Sequence, residues 1–550
     1  MTPKTHTHTR SIADKHYAIW RSPGRFTKNP DIARCQDGRL LLVYSDNDRH
    51  WSQETQILTI LESRDEGRTW QKLSEAGRAN LKEGDERLVT PRLSALSDGR
   101  LAVLVDHDDF GHFHEDQPPG NTLYWSTDGG HTWGPPTPCE VPGFEPDRVM
   151  ELADGRLAIV TQVARRRSQM LSVAMWDSTD GGKTWSETGV VAHDGHHTFC
   201  EGCLVVLDGG RELACVMREN NNGGGPGWVA FSRDGGYNWT SPLMLPFHFH
   251  RPYAKQMSDG RVLVTGRNAL GGVGTYAWAG DLRREAGHYE PGGPYGAHNA
   301  RFAQGAAQGA AQGALEIQNG SDWDCRYVLL PPEDAFSHAR FEAELKVDGP
   351  EDEPVAHISV NGLSTGNWAT GTTLYIAPGW IGLQKGSADL QKRVDMRAWR
   401  RVVLEAKDGI LTVAVDGKAL IHQSVSRYTL PLGAVYTAYP AGAHTSFGSA
   451  GDSGGSWWRR VDLKIVNRRL PQYRFRWDAA SGRYPDQYQR DRLTLIHPNV
   501  HPRERGWPDH GYSSWLALED GTIVFVDYTT LGDEAEQGHL VGARFRPEDV

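Results

Sequence analysis

One eight-residue pattern, Ser-x-Asp-x-Gly-x-x-Trp, occurs four times in this chain: Ser63 to Trp70, Ser126 to Trp133, Ser178 to Trp185 and Ser232 to Trp239. The copies start roughly 50 to 65 residues apart, a period that belongs to a repeated supersecondary unit. Each copy reads as a tight turn. The Asp carboxylate accepts hydrogen bonds from nearby backbone N–H groups, the Gly supplies a positive φ, and the Trp buries its ring to pin the turn. The repeat describes a scaffold and by itself says nothing about chemistry.

A second repeat is interleaved with the first: an apolar run, Asp-Gly, then another apolar run. It spans residues 32–43 around Asp37-Gly38, 93–105 around Asp98-Gly99, 149–160 around Asp154-Gly155, 203–216 around Asp208-Gly209, 253–264 around Asp259-Gly260 and 515–526 around Asp520-Gly521. Each predicts a hairpin with Asp-Gly as its two-residue turn. Six hairpins, four of them followed by the Trp-ending turn, predict an all-β chain with six four-stranded blades. The sixth blade is expected to close with residues 538–545. The counts of Gly (62) and Trp (19) fit a turn-rich β-protein.

Roughly 180 residues in excess separate the fifth hairpin from the sixth. They begin after Tyr289-Glu290-Pro291-Gly292-Gly293-Pro294, which reads as a linker, and continue through the small-residue tract 303–309. Alternating runs then predict strands at 340–347, 355–360, 372–376, 400–405 and 411–415. The run Trp399 to Glu405, followed by Leu411 to Lys418, resembles the paired strands of a laminin-G or concanavalin-like jelly roll. The expected organisation is blades one to five in residues 1–290, an inserted β-sandwich in 300–467, and the last blade with its closing strand in 468–550.

Composition removes several classes. A net charge of −10 with no basic block argues against nucleic acid as a partner. Six cysteines are too few for a disulfide scaffold, and Cys200 and Cys203 read as buried thiols before a metal or redox pair. No apolar run approaches the ~18 residues of a membrane span. Residues 1–20 lack the apolar segment of a signal peptide, so a cytoplasmic location is expected.

If the Asp-Gly turns share one face of the propeller, the residues flanking each hairpin converge on the opposite face, around the axis. Before the hairpins stand Lys28 to Asp31, Thr90 to Arg92, Glu145 to Arg148, His196 to Glu201, His248 to Arg251 and Asp509 to Tyr512. After them stand Asp46 to His50, Asp106 to Asp109 with His112 and His114, residues 165–167, Arg218 to Asn220, Arg267-Asn268 and Asp527-Tyr528. A solvated face has no need of aromatic rings and imidazoles interleaved with charge, so the pocket belongs here. Lys28, Arg49, Arg92, Arg148, Arg218, Arg251 and Arg267 come from five different blades. Guanidinium forks match planar carboxylates, which favours an anionic ligand and most simply an acidic sugar.

The Ser-x-Asp-x-Gly-x-x-Trp motif is the Asp box, or BNR repeat, and the chain resembles the sialidase superfamily. The resemblance covers about 370 residues. It implies a general acid/base in the loop after the first hairpin, where Asp46, Asp48 and Glu54 stand. It implies a Glu at the fourth hairpin paired with an Arg at its end, positions held here by Glu201 and Arg218. It implies a Tyr nucleophile just before the last hairpin, activated by that Glu, where this chain has Tyr512. The family's first carboxylate-binding Arg is replaced by Lys28, which keeps the charge and loses the fork. Arg490 or Arg492 could correspond to the third. A phenol near pKa ~10 is a poor nucleophile unless a carboxylate takes its proton, which makes the Glu–Tyr pair chemically coherent.

The histidines have no counterpart in that resemblance. His107, His112, His114, His196, His197, His248, His250 and His510 fall on one face. They read as hydroxyl-recognising imidazoles, as a metal site lacking any established ligand spacing, or as the acid and base of uronate β-elimination. The expectation is therefore a sialidase-like exo-glycoside hydrolase cleaving a terminal acidic sugar, with no cofactor or metal and with His107, His197, His250 and His510 binding substrate. A polysaccharide lyase or His-using glycosidase on the same scaffold is the alternative, and a non-catalytic lectin the third reading.

Overall fold

In the computed structural model of the chain the described residues are 10–107, 120–164, 171–194, 197–219, 226–268, 274–293, 300–302, 313–320, 325–330, 338–360, 363–364, 372–383, 390–408, 410–424, 426–427, 445–466, 473–498, 510–530 and 537–550. Six antiparallel four-stranded sheets form the blades. Blade 1 runs Phe26–Arg34, Leu40–Asn47, Thr55–Ser63 and Gln71–Asn80; blades 2, 3 and 4 follow in the same order along the chain. Blade 5 is Phe249–Gln256, Val262–Asn268, Gly274–Gly280 and, from far down the chain, Leu493–Pro498. Blade 6 is Ser514–Ala517, Ile523–Thr529 and His539–Phe545, with His16–Trp20 from the start of the chain as its outer strand.

Every neighbouring pair of blades shares its own apolar core. Leu41 and Val43 pack with Leu93 and Val103, Leu104 with Ile159, Val160 with Leu204, Val205 with Val264, Leu263 with Phe525, and Val526 with Leu42, which brings the series back to blade 1. The middle strands are buried on both faces, which is why they read as unbroken Leu/Val runs.

Each Asp box joins the third and fourth strands of its blade. In the first, Ser63 Oγ donates to Asp65 Oδ1 at 2.8 Å and accepts from Gly67 N at 2.8 Å, and Asp65 Oδ1 accepts from Thr69 N at 2.9 Å. The box also locks to the preceding blade. Arg39, Arg100 and Arg156, each directly after an Asp-Gly, donate to the carbonyls of Gly129, Gly181 and Gly235 in the next blade's box at 3.2, 2.9 and 2.9 Å.

Three expectations change. Five of the six hairpin loops hold three residues, the fourth holding four between Leu207 and Glu212. In the first, Cys35 N bonds to Arg39 O at 2.8 Å, and Gly38 N to Cys35 O at 3.0 Å. Only Gly38 needs a left-handed φ (87°), so a Gln-Asp-Gly turn with a bulge suffices where a two-residue turn would need two such residues. The sixth blade closes with the N-terminal strand outside residues 539–545. The insertion falls inside blade 5, before its outer strand, and residues 468–550 are not all last blade: Tyr473–Asp478 still pairs with Gly455–Val466 of the inserted sheet.

The inserted residues build an eight-stranded and a six-stranded antiparallel sheet around one core that includes Phe341, Leu404, Phe447 and Trp458. The expected strands are present as His338–Asp348, Ala356–Val360, Thr372–Ala377, Arg400–Lys407 and Ile410–Val415. That core runs on into the propeller through Met244 and Tyr289, with Trp228 of blade 4 packed against it.

Candidate active site at the propeller axis

Each inner strand is interrupted by a bulge where it reaches the axis. Asn29, Thr90, Glu145, Glu201 and Arg251 all have φ between 47° and 54°, and the sixth equivalent is Gly511 at 86°. Four of these six residues are followed by Pro: Pro30, Pro91, Pro146 and Pro252. A bulge re-aims a side chain, and a non-Gly residue held at positive φ stores roughly 1–3 kcal/mol that the surroundings must over-determine. Side chains of the preceding blade do so. Asp106 accepts from Glu145 N at 2.8 Å, Gln162 from Glu201 N at 2.6 Å, and Glu201 from Arg251 N at 2.8 Å. Asp527, within blade 6, accepts from Gly511 N at 3.0 Å.

The bulges bring one acidic and one phenolic side chain together from different blades. Tyr512 Oη donates to Glu201 Oε1 at 3.2 Å, and Arg218 Nη1 reaches the same oxygen at 2.9 Å. Arg251 lies 5.1 Å and Arg267 5.9 Å from the Tyr512 ring centroid. Arg251 pairs with Glu145 at 2.6 Å. Arg267 donates through Nε to His510 O at 2.8 Å, just ahead of Tyr512 in the chain. Burial opposes charge on Glu201, but Arg218, Arg251 and Arg267 outweigh it and hold the carboxyl below its ordinary range. Burial, then Glu145 and Glu201, push the Tyr512 phenol well above its ordinary value, so it carries its proton at neutral pH.

His250, beside Arg267 in the blade 5 ladder, is driven toward the neutral form by burial and then by Arg218, Arg267 and His248. Its buried Nε2 has no hydrogen-bond partner among the described residues.

Other expected site residues are placed differently. Asp46 is ion-paired with Arg25 and accepts from Ser22 Oγ at 2.9 Å. Asp48 caps its own loop, accepting from the amides of Gln53, Glu54 and Thr55 at 3.2, 3.1 and 3.3 Å, and is held well below the carboxylate range by Ser52, those amides and Arg49 against the effect of burial. No described contact joins either of these acids to Tyr512 or Glu201. Lys28 is buried with Nζ 5.0 Å from the Trp51 ring centroid. Arg49 is exposed and pairs with Asp48 at 2.9 Å. Arg148 pairs with Asp147 at 3.2 Å, and it and Arg92 are buried farther down the axis.

His107 is bonded through both ring nitrogens, to Arg87 O and Thr122 Oγ1, each at 2.8 Å. His197 pairs with Asp194 at 2.5 Å and lies against Trp228; His248 reaches Glu290 O at 3.2 Å; His510 Nδ1 lies 3.4 Å from Thr275 Oγ1. These contacts place the rings as wall and loop supports. His112, His114, His196, residues 165–167 and Asn220 lie outside the described residues. Among the described residues no group of three or more His, Cys, Asp or Glu could hold a metal ion. All six cysteines are free and buried.

Arg490 and Arg492 are not at the axis. They lie on the short helix leading into the outer strand of blade 5, where Arg490 pairs with Asp486 at 2.8 Å and Arg492 donates to Ala279 O at 3.0 Å. The insertion within blade 5 puts them there; Arg251 and Arg267, from the first and second strands, are the blade 5 cations at the Tyr512 ring. Glu145 and Asp527 are the functional-site carboxylates that residue types alone did not single out. The Glu-Pro step, parallel to Asn-Pro, Thr-Pro and Arg-Pro at the other bulges, was the available signal for Glu145.

Fold and repeats together define the class: a six-bladed β-propeller carrying four Asp-box repeats. Residues 2–187 match the family described as BNR repeat-like domain. No curated protein matches the chain. Among solved structures, the chain is similar to a protein of unknown function from Dyadobacter fermentans DSM 18053, at 18% identity and TM-score 0.43 over 59% of this chain and 95% of that one. It is also similar to a mutant of Trypanosoma rangeli sialidase displaying trans-sialidase activity, at 12% identity and TM-score 0.36 over 84% and 96%. A third is Penicillium chrysogenum alpha-L-arabinanase complexed with arabinobiose, at 16% identity and TM-score 0.38 over 55% and 92%.

Proposed function

We propose that the protein is a glycoside hydrolase that removes a terminal acidic sugar, with Tyr512 as nucleophile and Glu201 as the base that takes its proton. The observation that carries this reading is the 3.2 Å hydrogen bond from a protonated phenol to an ionised carboxylate, made between two blades and flanked by three guanidinium groups. As the phenolic oxygen bonds to the anomeric carbon, the bond from that carbon to the leaving-group oxygen breaks. The leaving oxygen takes a proton from water, and the phenolic proton passes to Glu201 Oε1. Arg218 then offsets less negative charge there and is available to the developing phenolate and the substrate carboxylate. Water then displaces Tyr512 from the anomeric carbon, and the phenol regains its proton from Glu201. Arg251 and Arg267 lie over the same ring and add to the attraction for an anionic sugar. Asp48 is ionised at neutral pH and does not supply the proton to the leaving oxygen; Asp46 would have to leave Arg25 to do so. The inserted sandwich, read as a laminin-G or concanavalin-like module, supports the wall beside Trp228 and Tyr289.

A second reading rests on His250. A neutral imidazole with an unpartnered Nε2 between Arg218 and Arg267 suits abstraction of a proton α to an arginine-bound carboxylate, the first step of β-elimination from a uronate.

A panel of acidic glycans incubated in ¹⁸O-water separates the two. Hydrolysis puts the label in the product and gives no ultraviolet absorbance. Elimination gives an absorbing, unlabelled product. Tyr512→Phe loses the nucleophile and should abolish hydrolysis, while Glu201→Gln should lower kcat by ~10²–10⁴. Near-normal turnover by Tyr512→Phe sinks the nucleophile assignment.

A further inference from the structure

Two to four residues beyond the bulges, the inner strands place a second set of charges across the axis. Asp31 comes from blade 1, Arg92 from blade 2, Asp147 and Arg148 from blade 3, and Tyr253 and Lys255 from blade 5. Most of these groups are accounted for. Asp31 accepts from Ile32 N at 3.0 Å and Leu93 N at 2.9 Å. Asp147 pairs with Arg148, whose Nη2 also reaches Leu204 O and Ala254 O at 3.4 and 3.5 Å. Lys255 Nζ donates to Trp515 O at 3.3 Å.

Arg92 is the exception. It is 4% exposed, makes no hydrogen bond or ion pair with any described residue, and has an orphaned Nε. The Tyr253 hydroxyl, in a residue 2% exposed, and Arg251 Nε are likewise unpartnered. All of these are donors, and Arg251 and Tyr253 are among the groups whose charge acts on Arg92. Burial, and then the like charge of Arg251, pull the guanidinium below its ordinary value, as expected of a cation that is undercompensated. Among the described residues, Arg92, Arg148 and Lys255 face Asp31 and Asp147, which leaves one positive charge in excess. A buried cation without a partner is expensive, and among the described residues no carboxylate pairs with it.

We propose that a monovalent inorganic anion of the halide class binds on the propeller axis against the Arg92 guanidinium, with the Tyr253 hydroxyl as a further donor. A monatomic anion accepts hydrogen bonds from any direction and matches the single excess charge, whereas a sulfate or phosphate dianion would overshoot it. A sugar carboxylate is the wrong occupant, because the 3% exposed Arg251, paired with Glu145, stands between this layer and Tyr512. The site is independent of the hydrolase reading and stands whether or not Tyr512 is a nucleophile.

The test uses the full chain, crystallised, soaked in sodium bromide and measured at the bromine absorption edge. An anomalous peak within hydrogen-bond reach of Arg92, lost in Arg92→Met, is expected. In solution, the thermal midpoint should rise in sodium chloride relative to sodium gluconate at equal ionic strength, and Arg92→Met should lose that difference. Should that variant fail to fold, the wild-type bromide map decides alone. Bromide peaks on the surface with only water or nothing at Arg92 overturn the proposal.

Discussion

Asp527 shows how one buried carboxyl can set both a loop and a pH response. It is fully buried and pushed up to about 7 by burial, which the Thr275 hydroxyl, the amides of Tyr528 and Gly511 and the charge of Arg267 only partly offset. The unfolded chain releases that proton near pH ~4. Below pH ~4 both states hold the proton and no stability is lost. Between ~4 and ~7 the folded state alone keeps it, so stability falls as pH rises, by on the order of 4 kcal/mol once both states are ionised. Asp527→Asn should flatten that slope. Urea unfolding of wild type and variant across this range measures it, and parallel curves would contradict it. The same carboxyl holds the amide ahead of Tyr512, so its ionisation changes the charge beside the phenol's anchor. Glu201 and Tyr512 were singled out through the family resemblance. Glu145 and Asp527 were not, because their importance lies in what they touch across the axis.

The blades owe their order to contacts between turns that sequence alone presents as local. Gly182, at φ 92°, would put a Cβ 2.8 Å from the Trp125 ring of the preceding blade, while Gly155, at φ 85°, has open space around it. Both glycines pay for positive φ when replaced, so Gly155→Ala should cost ~1–2 kcal/mol. Gly182→Ala should cost a further ~1–3 kcal/mol for overpacking against Trp125. Equal losses in denaturant unfolding would show that the Asp box does not lock one blade to the next. The Asp-Gly hairpins were legible as hairpins, but what the arginines after them touch was not. Only the stacked blades show Arg100 and Arg156 reaching the carbonyls of the next box.

At the level of the whole chain, the ends decide closure. His16–Trp20 pairs with His539–Phe545, and Tyr17 Oη donates to Gly67 O of blade 1 at 2.6 Å. A chain beginning at residue 21 should lose the outer strand of blade 6. Its thermal midpoint should fall, and amide exchange at Val541 and Ala543 should quicken. Unchanged exchange there would mean that the pairing does not hold the ring. The insertion tests the same architecture from the other side: it leaves blade 5 after Gly274–Gly280 and returns as Leu493–Pro498, so the ends of the sandwich are fixed by one ladder.

Local patterns determined the number of blades, their hairpins, the Asp boxes and the presence of an inserted sandwich. These follow from turn chemistry and period, which act over a few residues and are written in consecutive letters. The pairing of Glu201 with Tyr512 was an expectation of the family resemblance. Only the tertiary structure decided which strand completes blades 5 and 6, which acids near the axis are already engaged, and that buried Arg92 meets no hydrogen-bond or ion-pair partner among the described residues. Those outcomes depend on residues hundreds of positions apart meeting in a low-dielectric interior. There a carboxylate such as Asp46 or Asp48 is committed by the neighbour it meets, and a cation such as Arg92 is defined by the neighbour it lacks.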